Sequence, residues 1–288
     1  MQSKMYINGQ FIAADQAKIS AYDHGFLYGN GLFETMRAYA GRVFRCHDHI
    51  GRIIQSADFL GWDYSFSADE LIQAVYSTLK VNDLTDASIR LTISRGTGLA
   101  RPDAVCSQPT LAVYAAPYQA PSADEYQTGW PAATASIRRN QTSPVCGIKS
   151  ANYLDNLLAR SEVKLKGAKE ALLLNTDGLI AEGTIANYFF VMNGKLVTPH
   201  AESGLLPGIT RAVVLELAAK IPIVSEVRAI YPEEIKVASE MFITNSLLEI
   251  MPVNRLDDTV VGNGQCGPVT QLLINQYKEL VHAESNFS

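Results

Sequence analysis

Residues Lys149 to Leu158 read KSANYLDNLL. A lysine stands where a helix is expected to begin, and Tyr153 follows four residues later. Four residues is close to one helical turn, so the two side chains are expected on one face. A primary amine beside a phenol suits a lysine that forms an imine, the phenol tuning the proton. Such a lysine needs partners elsewhere in the chain.

Downstream, the helix is expected over 151–166, ended by Gly167. Strands are expected from Ala171 to Leu174 and from Leu179 to Met192, with turns at Asp177-Gly178 and Asn193-Gly194. Glu182 falls inside this apolar meander, in LIAEGTIANYFF. A carboxylate among strands either faces water or pairs with a cation, and both readings stand at this point. In GLLPGITR, Gly208 precedes Ile209 and Thr210, which open an apolar helix to Lys220. A helix N-terminus carries free N–H groups and partial positive charge, so it suits phosphate, and Thr210 suits a plain cap equally well. Pro232 is expected to start a short helix, Met241–Thr244 is a strand running into Asn245-Ser246, and 268–281 is a terminal helix.

Upstream, Asn8-Gly9 between short apolar runs marks a hairpin. The glycine-rich YDHGFLYGNG is expected as a loop. It lacks the Gly-Lys-Ser/Thr of a phosphate loop and precedes a strand, 32–39, so close backbone packing is the preferred reading. His47 to Leu60 has the apolar spacing of an amphipathic helix with Gly61 as its stop, and Arg52 within it reads, on spacing alone, as a solvated side chain. Ser67 to Glu70 is a capping box for a helix to about Lys80. Strands are expected over 87–95 and 109–116. Pro117 and Pro121 bracket a polar linker, which divides the chain into a first domain, 1–116, a linker, 117–126, and a second domain, 127–288.

The 288 residues suffice for two α/β domains, and 47% hydrophobic with 18% charged residues is ordinary for a globular protein with a buried core. A net charge of −5 argues against nucleic acid or an anionic membrane as a partner. No apolar run approaches a membrane span of ~18 residues. The N-terminal MQSKMYINGQ carries strand-like residues and a turn instead of a signal peptide. The four scattered cysteines form no metal-like cluster and suit a cytoplasmic protein, so no metal is expected.

Taken in order, DHGFLYGNGLFETMR, HDHIGRI, KSANYLDN, AEGTIANYF, LLPGITR and ITNSLLEIMPV resemble the class IV aminotransferases, the fold-type IV pyridoxal-phosphate enzymes. That family includes branched-chain aminotransferases, D-amino-acid aminotransferases and 4-amino-4-deoxychorismate lyase. The resemblance covers nearly the whole chain. It implies a mixed α/β fold of two domains, like D-amino-acid aminotransferase, with pyridoxal 5′-phosphate (PLP) between them in a homodimer. It implies Lys149 as the Schiff-base lysine, Glu182 against the pyridine nitrogen and Tyr153 on the phenolic oxygen. Arg52, Ile209, Thr210 and Ser246 match the phosphate-binding positions, and Tyr28, Phe33 and Arg37 match the part of the first domain that borders the substrate. Arg37, Arg95, Arg101 and Arg138 are candidates for a substrate carboxylate.

The expected reaction is transfer of an amino group from an amino acid, branched-chain or D-type, to a 2-keto acid. The alternatives are a lyase that expels pyruvate from aminodeoxychorismate to give 4-aminobenzoate, and a PLP-binding protein without turnover. The chain reads FETMR where branched-chain enzymes read FEGIR. Arg101 is followed by Pro102 and Asp103, so the Arg-x-His pair of the D-amino-acid enzymes is not intact.

Overall fold

The computed structural model describes residues 3–286; Met1 and Gln2 of the N-terminal stretch lie outside them. The chain divides into two units. One runs to Gln119 and takes in Ile148–Asn152 and the residues from Ala283 onward; the other holds Ala120–Gly147 and Tyr153–His282.

In the first unit, β1 (Lys4–Ile7) and β2 (Gln10–Ala13) form the expected hairpin. Its corner residues Asn8 and Gly9 have φ of 45° and 88°, the positive pair that a type I′ turn requires. Then come α1 (His24–Tyr28), β3 (Gly31–Tyr39), β4 (Arg42–Val43), α2 (Cys46–Phe59), α3 (Ala68–Val81), β5 (Ala87–Ser94) and β6 (Thr110–Pro117). The six strands form one antiparallel sheet in the order β2-β1-β6-β5-β3-β4.

Period-2 alternation decides its two faces. Leu32, Met36, Ile89, Leu91, Ile93, Leu111 and Val113 turn to one side, where they join Ile50, Ile53, Leu71 and Val75 of α2 and α3 in a single core. Phe33, Thr35, Arg37, Ser88, Arg90 and Thr92 turn to the other side, since Phe33 pairs with Thr92, Thr35 with Arg90 and Arg37 with Ser88. The capping box at Ser67 and Glu70 is present as expected. The YDHGFLYGNG stretch is not all loop: Asp23 accepts the Gly25 N–H to start α1, and Gly29 stops it at φ 66°.

The second unit contains α4 (Ala123–Thr128), β7 (Trp130–Arg139), α5 (Leu154–Leu165), β8 (Glu170–Asn175), β9 (Ile180–Glu182), β10 (Asn187–Met192), β11 (Lys195–Pro199), α6 (Ile209–Ala218), β12 (Val224–Arg228), β13 (Ala238–Asn245), β14 (Glu249–Leu256), β15 (Thr259–Val260) and α7 (Pro268–Asn286). Eight strands run β12-β11-β10-β13-β14-β7-β8-β9, and β15 pairs with β14. The pairing is mixed: β7 lies parallel to β8 and to β14, and β11 parallel to β12. Tyr188, Phe190, Met241, Ile243 and Met251 fill its main core. The expected linker runs into α4, which Ser122 and Glu125 start with a reciprocal capping box. After Pro232 the chain makes only a 3₁₀ turn, Glu234–Val237.

The helix expected to begin at 151 begins at Leu154, with Tyr153 as its N-cap. Lys149 is therefore not on a helix, and helical spacing does not relate it to Tyr153. The reason is a non-local pairing. The Phe33 N–H donates to the Lys149 carbonyl at 2.9 Å and the Ala151 N–H to the Gly31 carbonyl at 2.8 Å, so residues 149–151 lie extended along the start of β3.

Candidate active site

That backbone pairing fixes where the Lys149 side chain starts, beside Phe33. Its Nζ lies 4.6 Å from the centre of the Phe33 ring, and the Arg90 guanidinium carbon lies 3.8 Å from the same centre. Phe33 is buried, Lys149 half-buried and Arg90 exposed. The negative face of the ring attracts both cations through its quadrupole. It also gives Lys149 an apolar wall. Arg90 was not among the arginines singled out from the sequence. Alternation in ASIRLTIS does place it opposite the core, but only the β3–β5 register shows that Phe33 shares its face.

The arginines that were singled out sit differently. Arg37 donates to Asp86 at 2.6 Å, and its guanidinium lies against the rings of Tyr118 and Tyr39, 3.8 and 4.8 Å from their centres. Arg95 follows the end of β5, its N–H bonded to the Asn30 carbonyl. Arg101 is mostly exposed, 3.5 Å from Asp103. Arg138 is exposed on β7. Tyr28 ends α1 with its ring edge-on to His24, which is itself buried and bonded through Nε2 to the Leu99 carbonyl.

Arg52 is not a solvated helix arginine. Its Nε and Nη2 each lie 2.7 Å from a carboxylate oxygen of Glu34, and His49 Nδ1 donates to Glu34 at 2.7 Å. Glu34 occupies a core-facing position of β3 between Leu32 and Met36 and is fully buried. Burial alone would raise its carboxyl, but the charges and hydrogen bonds of Arg52 and His49 outweigh that and hold it at about 2.

In the second unit Glu182 is buried at the end of β9. Arg139 donates to its Oε1 at 2.7 Å, and the Leu206 N–H to its Oε2 at 3.0 Å. Of the two readings open for Glu182, pairing with a cation is the one realised. Arg139 also reaches the Asn156 side chain and the Gly204 carbonyl. Alternation gives Arg139 the same face as Ala133, Ala135 and Ile137, which pack against α5, but only the folded chain shows that Glu182 lies within its reach. The Tyr153 hydroxyl donates to the Thr184 carbonyl at 2.8 Å, and Asn156 donates to the same carbonyl at 2.7 Å. Buried Glu170 accepts from the Thr184 N–H and hydroxyl and pairs with Arg160, which fixes that loop.

The start of α6 is built for close approach. Gly208 is its N-cap, with no side-chain cap bond among the described residues. A Cβ there would collide with the Asn187 side-chain oxygen, while Asn187 Nδ2 holds the Leu206 carbonyl at 2.9 Å. Thr210 is buried and Ile209 half-buried in the first turn. Ser246 is half-buried in the turn after β13, where Asn245 accepts from the Leu247 and Leu248 N–H groups. Two residues earlier the Thr244 hydroxyl is buried without a hydrogen-bond partner among the described residues.

The family model for amino-transferase class IV matches residues 31–256. The chain is similar to a putative branched-chain-amino-acid aminotransferase of Methanocaldococcus jannaschii, 40% identical over 281 residues and 96% of each chain. It is 32% identical to the aminodeoxychorismate lyase of Bacillus subtilis, over 96% of this chain and 94% of that one. Its fold is similar to the crystal structure of the Escherichia coli branched-chain amino acid aminotransferase, with TM-score 0.92 at 30% identity over 98% of this chain and 95% of that one.

Proposed function

This chain belongs to the class IV aminotransferases, and on that premise we propose that it moves amino groups between branched-chain amino acids and 2-keto acids, with Lys149 as the lysine that carries the cofactor. The class depends on PLP, which when bound supplies an electron sink for the pair released at the substrate Cα.

The side chains present fit such a group. A primary amine, a buried carboxylate already held by an arginine, an uncapped helix start with a glycine cradle, and an unpartnered buried hydroxyl at Thr244 are the donor set that an aldehyde, a pyridine nitrogen and a phosphate call for. The observation that carries the reading is the company of Lys149: an aromatic wall and a second cation on the sheet face opposite the core.

In this reading Lys149 Nζ takes the α-proton of the bound substrate. Arg139 and the Leu206 N–H keep Glu182 oriented, and its carboxylate would hold the protonated pyridine nitrogen. The Tyr153 proton is directed at the Thr184 carbonyl, so a bond to a phenolic oxygen is one that Tyr153 accepts, or one for which its hydroxyl turns. Arg52, the Ile209 and Thr210 amides and Ser246 hold the phosphate. Phe33 excludes water from the amine. Arg90 takes a substrate carboxylate, since Arg37 is committed to Asp86.

Assembly as a homodimer is part of the proposal. Leu154, Leu157, Leu158 and Leu165 make an exposed apolar stripe on α5, which suits a second copy. A monomer by light scattering that retains full activity contradicts it. The location proposed is cytoplasmic: all four cysteines are free thiols, and no helix among the described residues is long and apolar enough to cross a membrane.

The test of the reaction is to mix the holoprotein separately with L-leucine, D-alanine and aminodeoxychorismate and follow its visible absorbance. L-Leucine is expected to change the spectrum and, with a 2-keto acid acceptor, to give the matching keto acid. Formation of 4-aminobenzoate with no response to either amino acid would replace the transaminase by the lyase.

A further inference from the structure

Glu34 stands at a position that strand alternation gives to the core, between Leu32 and Met36, where an apolar side chain is the usual occupant. A buried ion cluster is weak as a source of stability, because apolar side chains of similar volume commonly do as well. What the carboxylate does instead is grip. His49 and Arg52 are three apart on α2 and so share a face. Both reach Glu34: Arg52 through Nε and Nη2, at 2.7 Å each, and His49 through Nδ1 at 2.7 Å. A planar guanidinium held through Nε and Nη2 on one carboxylate has lost its freedom to rotate, so the plane and direction of the whole group are set.

We propose that Glu34 is a positioning residue for the cofactor phosphate: it fixes the Arg52 guanidinium in one orientation, with His49 as a second tether on the carboxylate. The inference rests on the proposed phosphate role of Arg52. With the guanidinium oriented beforehand, less rotamer freedom is lost when a phosphate arrives. Near neutral pH the carboxylate remains charged, as its value of about 2 requires, so the grip does not depend on a proton in that range.

The test uses the full-length protein freed of cofactor, with affinities measured for PLP, for pyridoxal, which lacks the phosphate, and for inorganic phosphate as competitor. In Glu34→Gln the PLP affinity is expected to fall roughly tenfold, the lower end of what is lost when a partner that orients a metal ligand is removed, with pyridoxal affinity unchanged. Glu34→Asp keeps the charge but shortens the reach, and is expected to lose the same preference; it decides the matter if Glu34→Gln does not fold. Arg52→Ala separates the two ideas. If Arg52→Ala loses the preference for PLP over pyridoxal while the folded Glu34 variants keep it, the role of Glu34 is overturned and that of Arg52 survives. If Arg52→Ala keeps the preference, both fall. An equal loss for PLP and pyridoxal in the Glu34 variants marks a general packing defect and also overturns the proposal.

Discussion

Replacing Arg139 with alanine removes a guanidinium that donates to Glu182 Oε1 at 2.7 Å. The carboxylate left behind is 7% exposed and keeps the Leu206 N–H as a donor. Breaking a buried pair by deleting one partner costs about 3–5 kcal/mol. The Arg139 side chain is 16% exposed and the Leu206 N–H still donates to the carboxylate, so the lower end, about 3 kcal/mol, applies here. For 288 residues the unfolding entropy is roughly 0.6 kcal/mol/K, and the melting temperature should drop by about 5 °C. The assay is thermal unfolding of the cofactor-free protein, so that ligand linkage does not enter. The double variant Arg139→Met with Glu182→Gln has no buried charge to strand and should melt above Arg139→Ala alone. A melting temperature within about 1 °C of the parent for Arg139→Ala, or a double variant no better than the single, would refute the view that Arg139 compensates a buried charge.

The remaining predictions concern the first unit. The Glu34 carboxyl is held at about 2 against an unfolded value near 4.5. A depressed folded value adds stability that is complete above the unfolded value and is lost as pH falls through the folded one. On the order of 3 kcal/mol should therefore disappear between about pH 4.5 and pH 2. Denaturation at pH 7 and pH 3 should show a smaller acid loss for Glu34→Gln than for the parent, and equal losses would count against the burial and pairing described. Glu125 and Glu162 are also held at about 2, chiefly by bonds from Lys169 and Lys166, but both lie near solvent, so screening leaves them little weight in the difference. Arg90→Ala should raise KM for amino and keto acids by about 10- to 100-fold, the scale of one charged hydrogen bond, with a smaller change in kcat. An unchanged KM removes Arg90 from carboxylate binding.

Much of the architecture was legible because its signals are local. Asn8-Gly9, the Ser67–Glu70 box, Gly61 and Gly167 each act within one turn of chain, and the elements they bound fall within a few residues of expectation. The candidate residues came from motif order, not from periodicity. Lys149 shows the difference: its neighbours look helical in sequence, yet pairing with Gly31 and Phe33, more than a hundred residues away in the chain, draws them out. Glu34 carried a readable anomaly, a carboxylate at a core position, but the cations that answer it sit on a helix whose packing no local pattern specifies. Arg139 and Arg90 both lie on faces that alternation assigns, but which residues share those faces depends on which strands and helices pair.

The central claim is that Lys149 is the residue that holds the cofactor. Borohydride reduction of the holoprotein fixes the cofactor on whichever amine carries it, and peptide mapping then reads the position. The account predicts a pyridoxyl group on the peptide containing Lys149, and none in Lys149→Ala, which should also lose turnover and the visible absorbance. A pyridoxyl group on another lysine, or full activity in Lys149→Ala, would contradict it.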